Sequence, residues 1–201
     1  NLPLYLAFVD YSKAFDSLSH KAIFTTLNKQ GIEPTYIQLL ERIYLNSTAA
    51  IHLETTDQSF PIRKGIKQGD PLSPKLFTAT LEEVFKNLEE HWRDKGIVVG
   101  EKSLTNLRFA DDIVLFSSSA AELSLMLEQL SHASLEVGLK MNMSKTKLMT
   151  NSTKREVDIE GVEVEYVHEY IYLGQIVSFQ ARQDKEVARR TENAWRSYKN
   201  T

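Results

Sequence analysis

The stretch RFADDIVLF places two adjacent carboxylates, Asp111 and Asp112, in an otherwise apolar run. The flanking residues predict two short strands with the acidic pair at the turn between them. Two interpretations are open: a hairpin tip whose acids face water, or a cation site. In a partly buried place, two carboxylates about 4 Å apart repel by roughly 4 kcal/mol at an effective dielectric of 20. A divalent cation would remove that cost, and Mg²⁺ typically takes one or two carboxylates plus substrate phosphates.

A third candidate acid, Asp10, lies roughly a hundred residues earlier in AFVDYSKAFD. It follows the apolar run Leu4 to Val9, which predicts a buried strand. An Asp at the end of a strand is most often a cap or a turn residue. Its assignment to a metal site therefore depends on further motifs.

The remaining pattern predicts helices and strands that could position these acids. The predicted helices are 20–30 with Ser19 as N-cap and Gly31 beyond its end, 34–46 beginning at Pro34, 74–92, 120–137 closed by Gly138, and 182–199. The predicted strands are a hairpin in 48–65, a strand with a turn in 139–150, and strands in 161–167 and 170–178. This order indicates an α+β fold, an antiparallel sheet covered by helices on one face.

Composition narrows the function classes. The chain has 201 residues, 42% hydrophobic and 25% charged, which fits one globular domain or a domain with a small appendage. Cysteine is absent and the five histidines are scattered, which disfavours disulfides and zinc. No apolar run predicts a membrane span or a signal peptide, so we expect an intracellular protein of the nucleus or cytoplasm with no membrane partner. The net charge of −3 disfavours an independent nucleic-acid-binding domain.

Five segments occur in the order and approximate spacing of the palm motifs of reverse transcriptases: FVDYSKAFD, KQGDPLSP, FADDIVLF, GLKMNMSKTK and YLGQIVS. The chain most resembles the enzymes of LINE-like, non-LTR retrotransposons, from Leu4 to about Phe179. The resemblance implies a right-hand polymerase palm in residues 1–179 and the start of a truncated thumb helix in 180–201. It also implies that a fingers segment N-terminal to the palm is missing, which would account for the low positive charge.

The resemblance implies that Asp10 and Asp111 are the main ligands of two Mg²⁺ ions, with Asp112 beside them and Mn²⁺ as a substitute. The backbone carbonyl of Tyr11 would complete one coordination shell. Such a pair of ions can activate a primer 3′-hydroxyl and stabilise the leaving pyrophosphate. The implied partners are an RNA template, a DNA primer and dNTPs.

Further substrate contacts are implied at four residues: Tyr11, Phe15, Gln68 and Gly69. Phe15 corresponds to the aromatic residue beneath the incoming sugar, where a ring would clash with a 2′-hydroxyl; the alternative is an ordinary core residue. Gln68 and Gly69 would contact the incoming nucleotide and the template strand. From the sequence alone they form a turn that leads into a helix, with Asp70 as an acid near the helix N-terminus.

Lys145 corresponds to the lysine proposed to protonate the leaving pyrophosphate, with Lys147 as the neighbouring possibility and a solvated lysine as the alternative. Tyr172, Leu173 and Gly174 resemble the primer grip, a hairpin that holds the primer 3′ end; Tyr172 and Leu173 could equally be core residues. Four basic residues near the motifs would contact phosphates, with solvated surface charges as the alternative: Arg63, Lys64, Lys67 and Arg108. The basic residues of the final helix belong to a segment that resembles the start of a thumb lying along the duplex: Arg182, Lys185, Arg189, Arg190 and Arg196.

Rival interpretations remain open. A maturase-type reverse transcriptase is one, and an RNA-dependent RNA polymerase, which would favour GDD over ADD, is another. The alternative from a different class is a decayed or domesticated retroelement fragment that binds nucleic acid or protein without catalysis. We expect weak or no activity from these 201 residues alone, and the sequence does not indicate an oligomeric state.

Overall fold

The computed structural model describes residues 2–52, 57–180 and 182–199 and divides the chain into two compact units. The first unit comprises Asn1–Val9, Lys95–Leu125 and Met143–Thr201, and the second comprises Asp10–Asp94 and Met126–Asn142. The helices are α1 (Ala14–Ser17), α2 (His20–Lys29), α3 (Pro34–Leu45), α4 (Ser73–Glu89), α5 (Ala120–Glu136) and α6 (Arg182–Lys199). The strands are β1 (Tyr5–Val9), β2 (Thr48–His52), β3 (Asp57–Pro61), β4 (Ile97–Val99), β5 (Lys102–Leu104), β6 (Asn106–Phe109), β7 (Asp112–Ser117), β8 (Lys147–Thr150), β9 (Asp158–Ile159), β10 (Val162–Glu163), β11 (Glu169–Tyr172) and β12 (Gln175–Ser178).

The first unit is built on a four-stranded antiparallel sheet in the order β6-β7-β1-β8. All five residues of β1 are buried, as the apolar run predicted. Because alternate residues of a strand point to the same face, Leu6 and Phe8 share a face, where they form a core cluster with Val114 and Met149. The β11–β12 hairpin packs its tyrosines against this cluster.

The second unit contains the helices α1 to α4 and the β2–β3 hairpin. The Ser19 hydroxyl accepts a hydrogen bond from the Ala22 amide at 3.4 Å, so Ser19 is the N-cap of α2, as predicted. Helix α4 buries its apolar stripe, namely Leu76, Phe77, Leu81, Val84, Phe85 and Leu88. The α+β class is thus confirmed.

Most predicted elements are confirmed. The four-residue helix α1 was not predicted, and three further segments differ from the prediction. The β4–β5 hairpin was not predicted because its strands are only three residues long. The segment 161–167 forms a strand only at Val162–Glu163, where it pairs with the two-residue β9. The segment 170–178 turns at Leu173 and Gly174, so it is the hairpin that the family resemblance implied and not the single strand that its apolar pattern predicted.

Within the part of the chain that the structure describes, no helix combines the length and the apolar character needed to cross a membrane.

Candidate active site

The Asp111–Asp112 pair lies at a hairpin turn, as predicted. Phe109 pairs with Asp112, so that Ala110 and Asp111 form the two-residue loop between β6 and β7. Ala110 has a φ of 52°, a conformation that favours glycine at the first position of such a loop. Both carboxylates are exposed. The repulsion calculated for a partly buried pair was therefore too large, because two charges about 4 Å apart in bulk water repel by only about 1 kcal/mol.

The predicted primer-grip hairpin contacts this acidic pair. The Tyr172 hydroxyl donates a hydrogen bond to the Asp112 carbonyl oxygen at 3.3 Å. Partial burial, and secondly the charge of Asp112, raise the pKa of Tyr172. Tyr170 stacks on Phe8 with 4.2 Å between ring centroids, which fixes the hairpin on the sheet. Tyr172 thus has two contacts. Its side chain packs against the core cluster, and its hydroxyl bonds to Asp112.

The tip of this hairpin has an unusual backbone. Leu173 has a φ of 48° and Gly174 a φ of 75°. A two-residue turn with both φ values positive normally takes Asn-Gly, and a leucine in this conformation costs roughly 1–2 kcal/mol. The Leu173 side chain is about half exposed and therefore not a core residue. Such local strain is typical of functional positions.

Helix α6 is bonded to the same hairpin. Glu186 accepts a hydrogen bond from the Ile176 amide at 3.0 Å, and Arg189 donates one to the Gly174 carbonyl oxygen at 2.5 Å. Arg189 and Arg190 also donate to the Glu186 carboxylate, and together these contacts lower the pKa of Glu186 to about 2. Glu186 therefore stays ionised at any pH near neutrality.

Intrahelical ion pairs hold three of the basic residues of the final helix. Arg189 and Arg190 are engaged by Glu186, and Arg196 pairs with Glu192 at 2.6 Å. The three guanidiniums thus form intrahelical pairs, and because Arg189 and Arg190 share one carboxylate, a net positive charge remains on this part of the helix. The predictions for Arg182 and Lys185 concern side chains outside the described part.

Asp10 follows the end of β1. Val9 lies opposite Ile113 in the antiparallel pair, so β1 ends at the edge of the sheet where β7 begins. Asp10 comes directly after Val9, and Asp112 comes directly before Ile113. The chain therefore continues into Asp10 from the edge that carries the acidic turn. One carboxylate oxygen of Asp10, Oδ2, is buried.

Tyr11 has a fixed backbone orientation. The Asp10 carbonyl accepts from the Asn142 amide at 2.8 Å, and the Ser12 amide donates to the Lys140 carbonyl at 2.9 Å. Since successive carbonyls of an extended chain point in opposite directions, the Tyr11 carbonyl points away from the segment 140–142. Its side chain is buried, with the hydroxyl 2.6 Å from the Ser134 hydroxyl, and this burial raises the pKa of Tyr11.

The predicted substrate residues Phe15 and Gln68 lie near each other in the second unit. The Phe15 ring stacks on the buried Phe77 at 5.1 Å, with 5° between the ring planes. The Gln68 amide donates to Asp16 at 3.3 Å, and both residues line an open pocket of about 730 Å³ together with Lys64 and Lys67. Phe15 and Asp16 are adjacent in α1, so one short helix positions both the Phe15 ring and the partner of Gln68.

Two glycines in this loop have different surroundings. Gly69 has a φ of +86° and nothing within 4 Å of an added Cβ, so its backbone conformation accounts for the glycine. Gly65 has the same φ, but a Cβ there would lie 2.7 Å from the Asp16 carbonyl oxygen. The predicted acid near the helix N-terminus, Asp70, accepts a hydrogen bond from the Leu72 amide at 2.8 Å, just before α4.

The two candidate lysines have different environments. Lys147 is partly buried and donates to Glu165 at 2.7 Å and to the Ser144 carbonyl at 2.6 Å. The same contact lowers the pKa of Glu165. Lys145 is exposed in the preceding turn. The ion pair with Glu165 thus tethers the Lys147 ammonium.

The candidate ligands are carboxylate oxygens, which are the donors that a hard cation such as Mg²⁺ prefers. Among residues 2–52, 57–180 and 182–199, no group of three or more His, Asp or Glu side chains is placed to hold a metal ion. Mg²⁺ does not require such a group, since it binds through one or two carboxylates and completes its shell with phosphate oxygens and water. The buried Asp10 oxygen and the exposed Asp111 carboxylate are donors of this type.

Sequence reasoning missed two residues that hold other segments in place: His20, which bonds to the Gly65 carbonyl oxygen, and Glu186. It named Arg189 but not its bond to the hairpin. The i,i+3 spacing of Glu186 and Arg189 predicts a pair on one helix face, but not its bonds to the hairpin. His20 gives no local signal, since its partner is 45 residues away.

Comparison with known proteins identifies relatives over most of the chain. Residues 2–177 match the family model described as "Reverse transcriptase (RNA-dependent DNA polymerase)". The Pol polyprotein of the R2DM retrotransposable element of Drosophila melanogaster is 34% identical over 142 residues, which are 70% of this chain and 13% of that protein. An R2 polyprotein of Popillia japonica is 33% identical over 140 residues, which are 69% of this chain and 20% of that protein. The chain thus spans a small part of the length of these relatives.

Solved structures share the fold at low sequence identity. Apo telomerase of Candida tropicalis has a TM-score of 0.67 at 13% identity, over 89% of this chain and 32% of that one. A form of that telomerase truncated from its C-terminal domain has a TM-score of 0.66 at 16% identity, over 90% of this chain and 35% of that one. These similarities establish a polymerase palm fold.

Proposed function

Because the chain belongs to the reverse transcriptase family, in its non-LTR retrotransposon branch, we propose that it is the palm of an RNA-directed DNA polymerase. The proposed reaction extends a DNA primer with dNTPs along an RNA template. The observation that carries the proposal is the exposed Asp111–Asp112 turn, at the sheet edge from which β1 continues into Asp10. Carboxylates in this position are accessible to a large, phosphate-bearing substrate.

Asp10 and Asp111 would hold two Mg²⁺ ions, with Asp112 beside them and the Tyr11 carbonyl as a further oxygen donor. When bound, these ions would activate the primer 3′-hydroxyl and neutralise charge on the leaving pyrophosphate. Beyond holding the ions, the protein would contribute positioning and charge. Tyr172 supports this role, since its bond to the Asp112 carbonyl ties the primer-grip hairpin to the acidic turn.

Lys145 would donate a proton to the pyrophosphate as it leaves. The match of Lys145 to the family motif supports this role, and Lys147, which pairs with Glu165, is the alternative. Gln68 and Gly69 would contact the incoming nucleotide and the template, beside the pocket that Lys64 and Lys67 line.

Phe15 would select the sugar of the incoming nucleotide. Replacing Phe15 with Ala removes a ring that Phe77 holds in one orientation, and we expect discrimination between dNTP and rNTP to fall about 10- to 100-fold. The measurement is the ratio of kcat/KM for a dNTP to that for the matching rNTP, a ratio that does not depend on the active fraction of the preparation. Phe15→Tyr, which retains the ring, is the control. Equal discrimination by Phe15→Ala and the parent would refute the role.

Primer extension tests the proposed function. The full open reading frame that contains this chain is incubated with an RNA template, an annealed DNA primer, dNTPs and Mg²⁺. We expect extension that a chelator stops and that added Mg²⁺ or Mn²⁺ restores. Bound primer-template without extension, under all of these conditions, would reject the polymerase and leave a nucleic-acid-binding module. The comparisons do not favour that alternative.

A further inference from the structure

A buried histidine lies outside the residues proposed for catalysis. His20 is the first residue of α2 and is 7% exposed, with Nε2 2.7 Å from the Gly65 carbonyl oxygen. Because a carbonyl oxygen only accepts hydrogen bonds, Nε2 must carry a proton and donate it. The His20 ring also packs against the Tyr44 ring in a T-shaped pair with 4.9 Å between the centroids, which restricts the orientation of the donor.

The backbone around Gly65 makes two more bonds to the same region. The Gly65 amide donates to the Leu18 carbonyl at 2.7 Å, and the Ile66 amide donates to the Phe15 carbonyl at 2.8 Å. Together with the His20 bond, these three contacts join residues 65–66 to the segment 15–20. We refer to this set of three hydrogen bonds as the His20 clasp.

The His20 clasp connects two parts of the proposed nucleotide site. One side of it carries Phe15, whose own carbonyl accepts the Ile66 bond. The other side leads, two residues later, to Gln68, whose amide reaches Asp16 at 3.3 Å. The position of Gln68 relative to Phe15 therefore depends on how firmly residues 65–66 are held.

We propose that His20 is a positioning residue for binding of the incoming nucleotide, a role that rests on the proposed polymerase function. It does not contact the reacting atoms, but fixes the loop 65–69 against α1 so that Gln68 and Phe15 keep one relative geometry. Of the three bonds, only the one from His20 comes from a side chain, so it is the one that a substitution can remove. Its loss leaves the two backbone bonds in place and allows the loop to open more often.

The test compares four variants of the full-length protein. His20→Leu removes the donor, His20→Gln places an amide donor near the former Nε2, and His20→Asn carries an amide too short to reach Gly65. Ile23→Val, at a fully buried site on the same helix, is a control for a general loss of stability. The readouts are kcat and the dNTP KM in single-nucleotide incorporation, and hydrogen exchange of the amides of residues 65–66.

We expect His20→Leu to raise the dNTP KM about 5- to 20-fold with kcat within about twofold, because binding and not chemistry is affected. His20→Gln should recover most of the parental KM, and His20→Asn should not. The amides of residues 65–66 should exchange at least about tenfold faster in His20→Leu, because local opening becomes more frequent. Where His20→Leu fails to fold, the difference between His20→Gln and His20→Asn provides the same comparison.

Kinetic constants that match those of Ile23→Val would overturn the proposal and leave His20 with a purely structural role. If the parent protein incorporates no nucleotide, the proposed polymerase function is wrong. Hydrogen exchange then tests by itself whether the His20 clasp holds the loop. Unchanged exchange in His20→Leu would overturn it, and faster exchange confined to the loop would support it.

Discussion

Replacing Asp111 with Asn should reduce nucleotide incorporation at least about a thousandfold, which corresponds to about 4 kcal/mol of transition-state stabilisation. Asn has nearly the same shape but no charge, so it would not hold a divalent cation as firmly. Asp111 is an exposed loop residue whose side chain is not part of the core. The loss should therefore appear in catalysis, with primer-template binding and the thermal unfolding profile close to those of the parent.

The β4–β5 hairpin provides a matched control. Gly100 and Glu101 lie between Val99 and Lys102, which pair, so Glu101 is the second residue of a two-residue loop, as Asp111 is. Glu101→Gln removes one exposed negative charge from an equivalent local position, and it should leave the incorporation rate within about twofold of the parental rate because isolated surface charges contribute little. Equal rates for the Asp111→Asn and Glu101→Gln proteins would exclude a catalytic role for the acidic turn.

Replacing Gly65 with Ala should open the loop before Gln68. The φ of +86° costs an alanine roughly 1–2 kcal/mol, and the contact of its Cβ with the Asp16 carbonyl at 2.7 Å adds about 1–3 kcal/mol, since that neighbour is backbone. The free energy of local opening, measured by hydrogen exchange at residues 65–66, should fall by about 2–5 kcal/mol, or to zero where the parental value is smaller.

Gly31→Ala separates the two contributions. Gly31 has a φ of +78°, and an added Cβ there would meet nothing within 4 Å. This variant carries the cost of the backbone conformation alone, so its effect on local opening after α2 should not exceed about 2 kcal/mol. If Gly65→Ala and Gly31→Ala destabilise their loops equally, the close approach of Gly65 to Asp16 has no energetic weight.

The parts of the fold that could be predicted from the sequence are those set by local pattern. The apolar run before Asp10, the Ser19 cap and the acidic turn each follow from residues near one another in the chain. The exposure of Asp111 and Asp112 could not be predicted, because it depends on what covers the turn in the folded chain. The same holds for the contact between Tyr172 and the Asp112 carbonyl, which joins residues 60 positions apart.

The candidate lysines show the same limit. Lys145 is the lysine that matches the family motif, and the approach of Glu165 to Lys147 joins residues 18 positions apart, which no local pattern indicates. His20 is a further case, since an isolated histidine at the start of a helix has no pattern that indicates a bond to Gly65. Sequence motifs thus identified the residues proposed to contact substrate, whereas the residues that position them became visible only through long-range contacts.

The bonds from α6 to the β11–β12 hairpin bear on where an expression boundary can be placed. A protein cut after Phe179, at the predicted end of the palm, would lose the partners of the Gly174 carbonyl and the Ile176 amide. Water would replace Glu186 and Arg189, and the strained turn at Leu173 would lose two of the contacts that fix it. Any shortened version intended for crystallisation or for screening of inhibitors should therefore extend at least one helical turn beyond Arg189.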